Sequence, residues 1–375
     1  MHRRTFVNAV TADGVVTVVG SLSGAQAVTY KTTDATESPY GPLLAPDANN
    51  IALPDGFTSR VIARSTRPIG NILWHAAPDG GACFSTDDGW IYVSNSDLPL
   101  VGGASAIRFN VDGSVDDAYS ILTTTSLNCA GEATPWKTWL SCEEIFRGKI
   151  FETDPYGARE PVERLAMGRF KHDGAACDPD RRVLYLTEAE ADGCLYRFSP
   201  DTWEDLGAGT LEVLCGSHEA PVWREVPDPA PTALRTQTRH QVDDALHFNG
   251  GHGCRYDAGI CYFTATGEGT VWAYDADGET MTTVDDTSGG FSETGTVTGD
   301  SYTAETAGDM GIDIVVGDGR AVPVLRIEGH DDSEITGPAF SPDGTRLYFS
   351  SQRGASGSTV GTDGVTYEIT GPFRH

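Results

Sequence analysis

Short apolar runs broken by turn residues set the rhythm of this chain. From Leu53-Pro54-Asp55-Gly56-Phe57 onward, β-branched and aromatic runs alternate with Asp-Gly and Asp-Pro turns. That alternation is the signature of hairpins, because those residues fit a pleated, half-buried surface. It predicts strands at 59–63, 90–94, 183–187, 260–264, 271–274 and 346–350. No stretch carries the 3.6-residue period of an amphipathic helix.

Three of these runs belong to a degenerate repeat: a metal-ligand residue type, a few small residues, an Asp turn, then apolar-Tyr-apolar-Thr/Ser. Its copies start at Asp173, His252 and Glu334, with a weaker copy over 79–94. The starts fall roughly 80 residues apart, about twice the period of a propeller blade. The expected architecture is therefore an all-β, six-bladed β-propeller with an axial metal site; a pair of β-sandwiches is the alternative. In a propeller, equivalent inner-strand positions converge on one axis. Asp173, His252 and Glu334 would then meet, joined by Glu188 and Glu305 at the ends of the strands after them. Packed carboxylates repel or take up protons unless a cation lies among them. The alternative is that each acid caps a surface turn.

Composition narrows the function. The chain has 375 residues, 44 of them Gly and 20 Pro, long enough for a core that needs no disulfide staples. Against 26 basic residues stand 54 acidic ones, a net charge of -28, and the only lysines are Lys31, Lys137, Lys149 and Lys171. Such a surface suits a salt-rich setting and excludes nucleic acid and anionic membranes as partners. The expected partner is a small molecule, and the expected state a monomer. The eight cysteines include no C-x-x-C pair; Cys254 and Cys261 flank a hairpin, and their pairing is open.

Met1-His2-Arg3-Arg4-Thr5-Phe6-Val7, an apolar stretch and Ala25-Gln26-Ala27 resemble a twin-arginine export signal. The expected organisation is a signal over 1–27, a linker or lid over 28–50, and a single propeller over 51–375. The protein would be extracellular or periplasmic. No run reaches membrane-spanning length.

The most informative stretch is Asn128-Cys129-Ala130-Gly131-Glu132-Ala133-Thr134-Pro135-Trp136-Lys137-Thr138-Trp139-Leu140-Ser141-Cys142-Glu143-Glu144. It sets thiols and carboxylates, soft and hard metal ligands, within a few residues. With Gly168-Arg169-Phe170-Lys171-His172-Asp173, Tyr185-Leu186-Thr187-Glu188 and Ser333-Glu334-Ile335-Thr336-Gly337-Pro338, it resembles the PhoX-type alkaline phosphatase family. The resemblance implies a propeller with an axial cluster of ferric iron and calcium that hydrolyses phosphate monoesters. It implies Cys142 as thiolate ligand to iron and Glu334 as bridging carboxylate, both of them catalytic. Glu143, Glu144, Glu188 and Glu305 would be further oxygen ligands, and Asn128 a donor to a substrate phosphate oxygen. The chain departs from the family pattern at His252, where Gly-Gly-His-Gly stands for Gly-Gly-Glu-Gly. Asp173 stands for a Glu, and near Glu334 come His330, Asp331 and Asp332 in place of a phosphate-clamping arginine.

The leading expectation is a metal-dependent phosphoric monoester hydrolase. Alternatives are a metal-bearing propeller that binds without turnover and a calcium-dependent lactonase-type hydrolase. With no G-x-S-x-G elbow, serine acyl chemistry is disfavoured.

Overall fold

The computed structural model describes residues 38–284, 310–315 and 321–374, with the backbone of short strands at Val15–Val16, Tyr30–Lys31, Thr294–Val297 and Asp300–Ala304. Six antiparallel sheets of four or five strands follow one another along the chain. We number them as blades 1 to 6. Their inner strands are Pro78–Thr86, Asn128–Ala133, His172–Asp178, Gly251–Asp257, Thr294–Val297 and Ile335–Phe340. The inner strand of blade 1 packs against those of blades 2 and 6, and that of blade 3 against those of blades 2 and 4. The strands stand round an axis, and the fold is a six-bladed β-propeller. Among the described residues the only helices are three single 3-10 turns.

The ring is closed by chain from outside the repeat. Thr58–Arg64 forms the outer strand of blade 6, pairing with Val365–Thr370 from Thr58↔Thr370 to Arg64↔Val365. Ile51–Ala52 adds likewise to Ala321–Ile327 of blade 5. Each end of the chain thereby supplies part of one sheet, so the sheet cannot open without losing ladder hydrogen bonds.

The predicted runs form the middle strands of their blades, at Gly89–Ser96, Val183–Glu188, Ile260–Ala265, Thr270–Asp275 and Arg346–Ser351. They read as continuous apolar runs because both faces are covered by neighbouring blades. In blade 3, Leu184 and Leu186 pack toward blade 2 with Leu140 and Ile150. Val183 and Tyr185 pack the other way, toward blade 4 with Cys261 and Phe263. Each large side chain so buried contributes about 1.5–3 kcal/mol relative to exposure.

One irregularity recurs and positions the site. A β-bulge interrupts the start of the inner strand in five blades, between Pro78 and Gly81, Asn128 and Gly131, His172 and Ala175, Gly251 and Cys254, and Thr336 and Ala339. The first bulged residues are Asp79, Cys129, Asp173, His252 and Gly337. The second is glycine in blades 1, 3 and 4, for a steric reason. A Cβ on Gly80 would stand 2.7 Å from Ala130 Cα, and one on Gly174 would stand 2.6 Å from the Cys254 nitrogen. Neighbouring inner strands approach too closely at the bulge for a side chain.

Candidate metal centre

A bulge re-aims the side chain it carries, and here it aims ligand types at one place. The thiol of Cys129, the carboxylate of Asp173 and the imidazole of His252 offer ligand atoms that all lie within 4.8 Å of one another. They come from blades 2, 3 and 4. Asn95 of blade 1 holds the blade 2 bulge, its Nδ2 donating to the carbonyls of Cys129 at 2.7 Å and Ala130 at 3.0 Å. In blade 3, the Gly174 N–H donates to Thr187 Oγ1 at 2.9 Å.

Asp173 is fully buried, and neither of its carboxylate oxygens has a hydrogen-bond partner. His252 Nδ1 stands 3.4 Å from Asp173 Oδ1 and accepts the Gly253 N–H at 2.9 Å. That arrangement calls for a proton or a cation between them.

A second tier comes from the chain following each middle strand. Asp97 and Glu144 are equivalent, each one residue past the partner of the residue before the bulge. Burial, then Glu144 and Glu334, pushes the Asp97 carboxyl up to about 7. Burial pushes Asp173 to about 7 as well, with His252 opposing and Glu144 and Glu334 adding to the shift. Glu334 is raised by burial and by Glu144, against His252 and Arg353. Burial, then Asp173 and Asp79, raises the Cys129 thiol. These shifts all have one sign: the group is short of positive charge. Two cations border it, Lys171 at 2.9 Å from Glu144 and Arg353 at 3.2 Å from Glu334. Gln352 bridges Asp79 at 2.5 Å and Asp97 at 3.4 Å.

The donor set fits metal. A thiol and an imidazole suit iron, while Asp97, Glu144 and Glu334 offer the oxygens calcium prefers. A bound cation would offset the shortage of positive charge in the cluster.

The structure brings some of the residues expected from sequence together and separates others. Cys142 is fully buried in the apolar layer between blades 2 and 3, with Leu140, Ile150, Met167 and Phe170, and Cys129 brings the thiol to the cluster instead. Strand alternation decides this, since Cys142 shares a face with Leu140. Alternation also separates the acidic pair. Glu144 joins the cluster, whereas Glu143 accepts the Ser126 N–H at 3.0 Å and is influenced by Lys149 and Glu163. Glu188, equivalent to Glu143, has both oxygens engaged, by Arg239 Nη1 and the Tyr196 hydroxyl, each at 2.8 Å. Asn128 is fully buried, accepting from Thr125 at 2.5 Å and donating to Ser141 at 2.9 Å. Its amide thereby ties the outer strand of blade 1 to blade 2. Asp173 and His252 do meet. Glu334 joins them from the loop before its strand, three residues ahead of the bulge position that Gly337 holds. Glu305 and residues 1–27, apart from the backbone of Val15–Val16, lie outside the described residues.

Sequence reasoning missed Arg353 as a partner of Glu334, and it missed Asn95, Gln352 and Arg239. Arg353 follows the middle strand of blade 6, whose Gln352 N–H donates to the Glu334 carbonyl at 2.9 Å. Pairing Glu334 with the end of that strand would have revealed it.

The family described as alkaline phosphatase PhoX matches this chain over residues 91–153 and 147–246. That range holds the bulges of blades 2 and 3 and most of the motifs read above. The solved structure of Pseudomonas fluorescens PhoX in complex with vanadate, a transition-state analogue, superposes with a TM-score of 0.67 at 17% identity, covering 88% of this chain and 97% of that one. A gluconolactonase from Xanthomonas campestris superposes with a TM-score of 0.50 at 15% identity, covering 89% and 99%. At such identities these likenesses show the fold. No curated protein matches the chain by sequence. The family match spans the blades that carry Cys129 and Asp173, and the six-bladed fold is similar to that of PhoX.

Proposed function

We propose that the chain is a metal-dependent phosphoric monoester hydrolase whose site is the cluster of Asp97, Cys129, Glu144, Asp173, His252 and Glu334. The observation that carries this reading is the Asp173 carboxylate, buried with both oxygens unbonded beside a thiol and an imidazole. Cys129, Asp173 and His252 would hold ferric iron; Asp97, Glu144 and Glu334 would hold calcium. When bound, these ions supply Lewis acidity toward phosphoryl oxygens.

The chain's own groups do the rest. Lys171 and Arg353 are each about one-third exposed, so they can meet a solvent-borne ligand while tethered to Glu144 and Glu334. Their charges face the non-bridging oxygens of a phosphate ester and offset the field of an acidic protein. Arg353 offers a planar fork matched to two of those oxygens. The surrounding bulges are fixed by Asn95 and Thr187, so the ligand atoms need little rearrangement on binding.

Elemental analysis together with turnover of p-nitrophenyl phosphate tests the reading. Iron and calcium in the purified protein, with phosphate release, is the expected result. Metal-loaded protein that turns over no phosphate monoester overturns it. A lactonase-type calcium propeller is the second reading, prompted by the gluconolactonase fold likeness. The thiol and imidazole argue against it, since calcium takes oxygen ligands. Export by the twin-arginine route, with 1–27 as signal ahead of the propeller, belongs to the same proposal and is tested by cell fractionation.

A further inference from the structure

Cys254 and Cys261 lie on the first hairpin of blade 4, one on the inner strand and one on the strand beside it. Their sulfurs are 3.5 Å apart. The register pairs Cys254 with Phe263 and Cys261 with Tyr256, so the two cysteines are diagonal neighbours on one face of the hairpin. Each of the eight cysteines is a free thiol in the structure. A separation of 3.5 Å is about 1.5 Å longer than a sulfur–sulfur bond, so the two thiols already face each other and closing the bond takes a local adjustment of the hairpin.

We propose that Cys254 and Cys261 are a dithiol that closes to a cross-strand disulfide in the presence of a disulfide oxidant. One cysteine thiolate attacks a sulfur of oxidised glutathione, forming a mixed disulfide and releasing one glutathione as thiol. The other cysteine then attacks the protein-side sulfur and releases the second glutathione. The two protein thiols lose two protons and two electrons, and the oxidant takes up both. Cys254 is half-buried and Cys261 fully buried, which makes Cys254 the residue the oxidant reaches first and Cys261 the resolving partner.

The location gives the bond a consequence. Cys254 follows the bulge that carries His252, and its backbone lies against Gly174 beside Asp173. The hydrogen-bond ladder already holds the short loop that the bond encloses, so little loop-closure entropy is gained. The bond instead ties the strand that carries His252 to its neighbour. The inference stands whether or not the cluster binds metal.

Folded full-length protein treated with oxidised glutathione tests the proposal by thiol titration and peptide mapping. The expected result is loss of two titratable thiols and a linked peptide joining Cys254 to Cys261. In Cys261→Ser, one glutathione should remain attached at Cys254; in Cys254→Ser, neither a link nor an adduct should form. Wild-type protein that keeps all eight thiols overturns the proposal, as does a link that joins other cysteines. An adduct on Cys261 in Cys254→Ser would overturn the order of attack.

Discussion

Cys129 and Asp173 occupy the same β-bulge in neighbouring blades, and that shared position sets their ligand atoms within 4.8 Å of each other. Cys142, thirteen residues after Cys129 and in the same motif, lies in an apolar layer. The two cysteines therefore separate a place in the ligand cluster from a place in the packing. Cys129→Ser and Asp173→Asn are expected to lower bound iron at least tenfold, as read by elemental analysis of purified protein. Cys142→Ala should keep the metal and cost about 1 kcal/mol in denaturant unfolding. Metal loss in Cys142→Ala with retention in Cys129→Ser would reverse the assignment.

Arg353 binds Glu334 from a strand end that sequence order hides. If it also faces the phosphoryl group, Arg353→Ala should lower kcat/KM for a phosphate monoester by about a hundredfold, typical of removing one preorganised donor. Arg353→Lys should restore part of that loss, because charge returns without the planar fork. Steady-state kinetics with metal content held equal gives the answer, and unchanged kcat/KM in the alanine variant would remove Arg353 from the site.

Glu188 and Arg239 form a buried pair, the carboxylate fully enclosed and the guanidinium at 2.8 Å. Burial outweighs Arg239 and Tyr196 and sets the Glu188 carboxyl at about 7. Arg239→Met should cost about 3 kcal/mol near pH 8, where the lone buried carboxyl, raised further without Arg239, must take up a proton on folding. Near pH 5 the carboxyl holds a proton and the cost should shrink. Equal destabilisation at both pH values, measured by urea unfolding, would show that the pair matters through packing alone.

Glu132 lies on the inner strand of blade 2, its carboxylate accepting the Cys177 N–H of blade 3 at 3.4 Å. Burial raises its carboxyl from 4.5 to about 8, against that hydrogen bond and Arg255. A carboxyl raised on folding keeps its proton while the unfolded chain loses one. Its contribution to stability is thus full below pH 4.5 and falls as pH rises toward 8. Glu132→Gln should remove that part of the slope and stabilise the protein by about 1 kcal/mol or more at pH 8. Parallel stability–pH profiles for the two proteins would contradict the assignment.

Much of this molecule was legible from local pattern. The middle strands of the blades declare themselves at 90–94, 183–187, 260–264 and 346–350, because a strand covered on both faces must be apolar at every position. The repeat announced a propeller, and it announced that Asp173 and His252 converge. It misplaced Glu334, since aligning by composition sets Glu334 level with Asp173 where the register puts Gly337. The acidic pair Glu143-Glu144 looked like one unit, and only alternation about the strand sends the two apart.

Residue types and their spacing were enough for the blades, the acidic field and the identity of the motif. The tertiary structure alone decided which thiol reaches the axis, which carboxylates are already satisfied, and which cations stand beside those that are not. The physical reason is the β-bulge. One extra residue at the start of an inner strand reverses which side chain faces the channel, and that reversal depends on pairing with a strand many residues away.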